Sequence, residues 1–224
     1  MIGIMRNLKT LLSFGAISMS LLSCSENKTI DRDVVEQVNQ ANEVKKVSES
    51  DIIAQAMQWG DEISQDAQGE LIGSLQKAIG EKGVPGAIDF CQVEALPITK
   101  KVSEKYKVEI RRVSLKNRNP ENKPTELEKT LLDAYQYNVE NNVDSRSNIQ
   151  KVEDGQVLLY TKAITIPGGL CLNCHGEPGK EINEATLEKI TTLYPEDKAV
   201  DFKVGDLRGM WSISIPKSEV VKKM

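Results

Sequence analysis

Four cysteines and a single histidine hold most of the chemistry open to this 224-residue chain. Two of those cysteines and the histidine stand together in "PGGLCLNCHG", residues Pro167 to Gly176. Cys171-Leu-Asn-Cys174-His175 is a C-x-x-C-H sequence, the attachment pattern for c-type haem. Spacing and direction explain the pattern. Two thiols three residues apart can each add to one of the two haem vinyl groups, and the next residue is then carried beneath the ring, where its imidazole can bind iron. Gly168, Gly169 and Gly176 flank the motif and lack the Cβ that would hold backbone away from a flat macrocycle. Two other uses of the same residues are weaker. A redox-active Cys171–Cys174 pair normally opens a helix after a strand in a βαβ unit, and no such unit is legible here. A zinc ion could take Cys91, Cys171, Cys174 and His175, but adjacent Cys174 and His175 suit one ion awkwardly and no second paired half exists.

With one histidine, a bis-histidine iron within one chain is excluded. The sixth position falls to Met57, Met210, Met224, a lysine, Cys91 or an open site. Cys91, on the apolar face of its segment, is the one thiol with no other task. On the residues alone it is either a ligand or a small buried hydrophobe. Haem propionates need cationic partners, and Arg111, Arg112, Arg118 and Arg208 are the candidates, because guanidinium forks match carboxylates. Arg111 and Arg112 point to opposite faces of a strand, so only one of the two serves. Trp211 and Tyr160 either line the pocket or are plain core.

Compartment bears directly on such chemistry. The opening "MIGIMRNLKTLLSFGAISMSLLSC" has a short basic start (Arg6, Lys9), no acid and an apolar run from Leu11 to Leu22. It reads as a secretory signal over residues 1–23, too short to span a bilayer. Its end, Leu21-Leu22-Ser23-Cys24, resembles a bacterial lipobox, which implies cleavage before Cys24 and lipid on its sulfur, an anchor to a membrane surface. The alternative is a simple secretory signal with Cys24 incidental. Both place the mature chain outside the cytoplasm, facing the periplasm or on the cell surface, where c-type haem is attached. Loss of residues 1–23 takes the net charge from −4 to about −6, which argues against nucleic acid as a partner.

The elements that must position these groups follow from patterning. Residues 24–48 are polar and read as a tether, helical in part. The folded domain is expected over 49–224. Apolar residues from Ile52 to Ile79 recur at helical spacing, with Ser50 or Asp51 as cap, Gly83 as stop, and Gly60 and Gly69 as the places where the helix would break. Pro85 suits the first turn of a second, short helix bearing Cys91, which Pro97 is expected to end or kink. "KVEIRRVSL" is a strand, "KNRNPENKP" a loop, and "TELEKTLLDAYQYNVENN" a helix with a Thr125/Glu128 capping box. Two strands meet at Asp154-Gly155, a helix covers "NEATLEKITTLY", and "GDLRGMWSISIP" closes the chain as a strand. The fold class is α+β, with a long N-terminal helix, flanking helices and a small antiparallel sheet.

Four stretches, "PGAIDFCQVEA", "IRRVSLKNRNPENKP", "GGLCLNCHG" and "YPEDKAVDFKVGDLRGMWSISIP", together resemble the small family of single-haem c-type proteins with a PAS-like fold and His/Cys axial ligation. That resemblance implies one covalent haem c on Cys171 and Cys174, with His175 and Cys91 as the axial ligands of the iron. A thiolate ligand favours ferric iron, so a low reduction potential is expected. The resemblance also implies redox or gas sensing with a signalling or redox protein as partner; a lipid-anchored electron carrier is the alternative. An enzyme is not expected, since one histidine cannot serve both sides of the haem.

Overall fold

The chain divides into two units, residues 1–45 and 46–224. The computed structural model describes residues 31–41 and 47–224. The signal sequence, Cys24 and residues 25–30 and 42–46 of the polar stretch lie outside the described residues. In the first unit α1 (Arg32–Ala41) carries an acidic first turn and exposes Val34, Val35 and Val38.

The second unit begins where Ser48 accepts a hydrogen bond from the Asp51 N–H at 3.1 Å, satisfying a donor that a helix start leaves free. α2 (Glu49–Tyr106) follows and is two arms in one. Gly83 adopts φ 72°, ψ 176°, a left-handed conformation that glycine reaches without a Cβ clash. Beyond it the chain turns back. Lys105 Nζ meets Asp66 at 2.7 Å and the Trp59 and Tyr106 rings lie 6.5 Å apart, whereas a straight helix would separate residues 66 and 105 by roughly 58 Å. The return arm opens with Pro85, as its sequence predicts, but Pro97 does not end it. Pro97 is exposed, so water can take the carbonyl that its missing N–H leaves free, and the arm runs on to Tyr106 before Lys107 closes it at φ 55°. Gly60 and Gly69 do not break the outgoing arm. Gly60 is there for contact: a Cβ would lie 2.2 Å from the Tyr160 ring.

A four-stranded antiparallel sheet, ordered β1-β4-β3-β2, packs on this hairpin. Its strands are β1 (Glu109–Val113), β2 (Asn148–Val152), β3 (Val157–Thr165) and β4 (Leu207–Pro216). Ile110, Leu158, Tyr160, Trp211, Ile213 and Ile215 share the face that buries Trp59, Ile63 and Val102 of α2. Tyr160 is fully buried, and its hydroxyl donates to Asp61 at 2.7 Å, where Lys162 also binds. The opposite face, with Val113 and Met210, is covered by Leu132 and Tyr135 of α3 (Glu126–Glu140). The expected capping box is present, Thr125 N to Glu128 at 2.8 Å and Glu128 N to Thr125 at 3.3 Å. Three short helices complete the unit: α4 (Gly169–His175), α5 (Glu184–Leu193) and α6 (Lys217–Val221). The architecture is the α+β class read from the sequence, with its long helix and small sheet. Among the described residues no helix is long and apolar enough to cross a membrane.

Candidate metal centre

The C-x-x-C-H run forms α4, a single short helix, which sequence patterning leaves unassigned. Gly168 precedes it, with the Cys171 N–H on the Gly168 carbonyl at 3.2 Å. At the far end the chain is gripped by a later loop: Phe202 N donates to His175 O, and Asp201 N to Gly176 O, both at 2.9 Å. Two helical residues, Leu172 and Asn173, separate the two thiols, which turn to different apolar clusters. Cys171 packs with Ile166, Ala199 and Phe202, and Cys174 with Ile88, Ile182, Ile190 and Tyr194. Ile88 lies one turn before Cys91 on the return arm of α2, so that arm brings the third thiol to the motif. Burial pushes the Cys174 thiol up to about 11, Arg118 opposes this, and Cys91 and Cys171 add to it. Burial likewise raises Cys91, against the pull of Arg112 and Arg118. The fold thus brings Cys91, 80 positions before Cys171 in the sequence, to the C-x-x-C-H motif.

His175 is held by its ring. Nδ1 lies 2.8 Å from the Ala199 carbonyl, and the Phe202 ring meets the imidazole edge-on at 6.1 Å. A carbonyl can only accept, so Nδ1 carries the proton and the Nε2 lone pair is left for a metal. Burial drives the imidazole well below its usual pKa, and the guanidiniums of Arg208, Arg118 and Arg112 push the same way. The ring is therefore neutral, the state in which imidazole ligates.

The four candidate arginines divide. Arg111 lies on the α3 face, with Nη1 on both Glu128 oxygens (3.0 and 2.8 Å) and Nη2 on Lys123 O. Arg118 is clamped two-pronged to Asp197 at 3.1 and 3.0 Å. Arg208 stacks over Phe202 and donates only to the Lys116 carbonyl. The Arg112 side chain makes no hydrogen bond or ion pair among the described residues. Burial lowers it, and Cys91 and Tyr194 are the groups that act against this. Trp211, register partner of Arg112 and on the same face of the sheet, is 2% exposed, and its Nε1 has no acceptor. The Arg112 guanidinium and the Trp211 indole N–H thus lack acceptors, Arg208 has a carbonyl but no carboxylate, and Asp197 is already taken by Arg118. Buried donors are rarely left so, which fits an acidic ligand group such as the propionates of a haem.

Other expectations sort themselves by place. Met210 lies on the α3 side of the sheet, Met57 packs on the α2 core and Met224 is the C-terminal residue. Tyr160 belongs to the Asp61 contact rather than to the motif. The zinc alternative needs convergent ligands, and no group of three or more His, Cys, Asp or Glu suited to a metal occurs among the described residues. Asp197, Ala199 and Phe202 also belong to the site, though no motif in the sequence marks them. Ala199 acts through its backbone, which has no sequence signal. Asp197 accepts from Ala199 N at 2.9 Å, a bond to its own backbone two residues on that an aspartate in a loop allows one to anticipate.

Residues 25–216 match the family described as Tll0287-like. Among solved structures the chain is similar to the cyanobacterial haem protein Tll0287, at 27% identity over 66% of this chain and 95% of that one, with a TM-score of 0.44. No curated protein matches.

Proposed function

The chain belongs to the Tll0287-like family, and on that premise we propose that it is an extracytoplasmic, lipid-anchored c-type haem protein that senses redox state or a diatomic gas. Cys171 and Cys174 provide the thioether sulfurs, His175 Nε2 and Cys91 Sγ the axial ligands, and Arg112 and Arg208 the partners of the two propionates. The observation that carries this reading is the charge imbalance at the motif: the half-buried guanidiniums of Arg112 and Arg208, with no carboxylate of their own, act on a neutral imidazole beside free thiols. Bound there, a haem supplies one-electron iron chemistry and, when a protein ligand leaves, a place for a gas.

The chain's own residues prepare the site. The Ala199 carbonyl fixes the His175 tautomer and ring direction. The Asp197–Arg118 pair ties the loop to α4. Cys91 arrives on a helix arm, not on a loop, so its approach to the iron is set by the packing of Ile88 against Ile182 and Ile190. With Cys91 and His175 both holding a bound haem iron, no coordination position would be left for a substrate, and no catalytic turnover is assigned.

Coexpression with a cytochrome-maturation system tests the reading. The expected product is coloured, heavier than the polypeptide by one haem, and shows a ferric thiolate spectrum that Cys91→Ala abolishes. Colourless protein of bare polypeptide mass refutes the haem. Reduction with and without CO then separates the roles: a sensor releases one ligand and binds CO, whereas a protein that keeps both ligands in both oxidation states is an electron carrier.

A further inference from the structure

We infer that Arg118 is a positioning residue for the iron ligand, one that sets the reduction potential by sharing the carbonyl on which His175 rests. The inference depends on the haem reading above. Arg118 and Asp197 are nearly enclosed, with side chains 10% and 8% exposed. Arg118 Nη2 faces three acceptors: Cys174 O at 2.7 Å, Asp197 Oδ2 at 3.0 Å and Ala199 O at 3.1 Å. It has two protons for them, so the guanidinium divides its donation within a fixed triangle. Asp197 holds that triangle from two sides, gripping Arg118 through both oxygens and the Ala199 N–H through Oδ1 at 2.9 Å.

The Ala199 carbonyl therefore has two donors, the His175 ring at 2.8 Å and a cationic guanidinium. A hydrogen bond from a ring N–H to a second group raises the basicity of the ligating nitrogen. Charge-assisted donation from Arg118 draws density from the same oxygen and weakens it as an acceptor for the ring. Arg118 thereby keeps His175 a weaker donor and raises the potential. Removing it strengthens the His175–Ala199 bond and also leaves Asp197 as an uncompensated negative charge. Both effects favour ferric iron.

The test measures the reduction potential of the haem-loaded wild type, Arg118→Gln and Arg118→Lys. Arg118→Gln is expected to shift the ferric/ferrous equilibrium at least tenfold toward ferric, a potential lower by about 59 mV for one electron. Arg118→Lys keeps the charge but not the flat fork that spans Asp197 and two carbonyls, and is expected to move the potential the same way by a smaller amount. Where Arg118→Gln does not fold, Arg118→Lys decides alone. A Lys variant with the wild-type potential overturns the shared-carbonyl account, whether or not Arg118→Gln shifts. So does a loss of thermal stability in either variant without any change of potential. Failure of the haem reading is a different result, colourless wild-type protein with no potential to measure.

Discussion

Arg112→Met exchanges a guanidinium for an apolar chain of comparable length, and its effect on stability is expected to change sign with the haem. In the haem-free protein, produced as Cys171→Ala/Cys174→Ala, Arg112 lies among Cys91, Tyr194 and Trp211 without hydrogen bond or ion pair. An unsatisfied buried polar group costs about 1–3 kcal/mol, more when charged. Arg112 is half-buried, so the lower end applies and the substitution stabilises by about 1 kcal/mol. On the proposed reading Arg112 of the haem-loaded protein would bind a propionate, and losing a hydrogen bond to a charged group costs about 1.5–3 kcal/mol. The two forms therefore respond in opposite directions, about 2.5 kcal/mol apart or more. Urea denaturation followed by far-UV circular dichroism, with matched m-values, measures both. If Arg112→Met destabilises the two forms alike, Arg112 is not a propionate partner and the charge-imbalance argument fails.

Gly60→Ala should cost about 2 kcal/mol net, because a Cβ 2.2 Å from the Tyr160 ring overpacks the core at the upper end of about 1–3 kcal/mol and strains its bond to Asp61, against a helix-propensity gain of about 1 kcal/mol. A urea midpoint equal to the wild type's would contradict it. Cys91→Ala should remove the ferric thiolate spectrum and raise the potential; an unchanged spectrum gives the sixth position to another residue. Glu128 links stability to acid: burial pushes its carboxyl up, but the Thr125 N–H, Ser212 and Arg111 outweigh that and hold it below its ordinary 4.5. A depressed folded pKa means the stabilisation is present above 4.5 and disappears as pH falls through the folded value. Glu128→Gln should therefore flatten the stability–pH curve in that acid range, and an unchanged slope would remove Glu128 from the account.

Much of the local structure is legible in the sequence because its causes are local. The Thr125/Glu128 box, the turn at Asp154-Gly155 with φ 52° and 80°, and the alternation of β4 all rest on neighbours in the chain. So does the C-x-x-C-H motif, whose spacing carries its own chemistry. What escapes reading is set by distant contacts. Gly83 signals a helix end, but only the meeting of Asp66 with Lys105 and Trp59 with Tyr106 shows the arms folded back on each other. The helix survives Pro97 because solvent reaches that turn. The division of four arginines into clamped and unpaired depends on Glu128 and Asp197, 17 and 79 positions away from Arg111 and Arg118. Sequence spacing holds no trace of that partition.

The hairpin that delivers Cys91 has one more consequence. Cys91 and His175 are 84 positions apart, so an iron atom joining them would cinch a wide stretch of chain into a ring. By the loop-entropy relation used for covalent cross-links, such a clasp limits the denatured ensemble by about 4–5 kcal/mol. Unlike a disulfide, such a clasp would open if one-electron reduction released the sulfur, and the oxidation state of one atom would then decide how tightly two-fifths of the polypeptide is laced together.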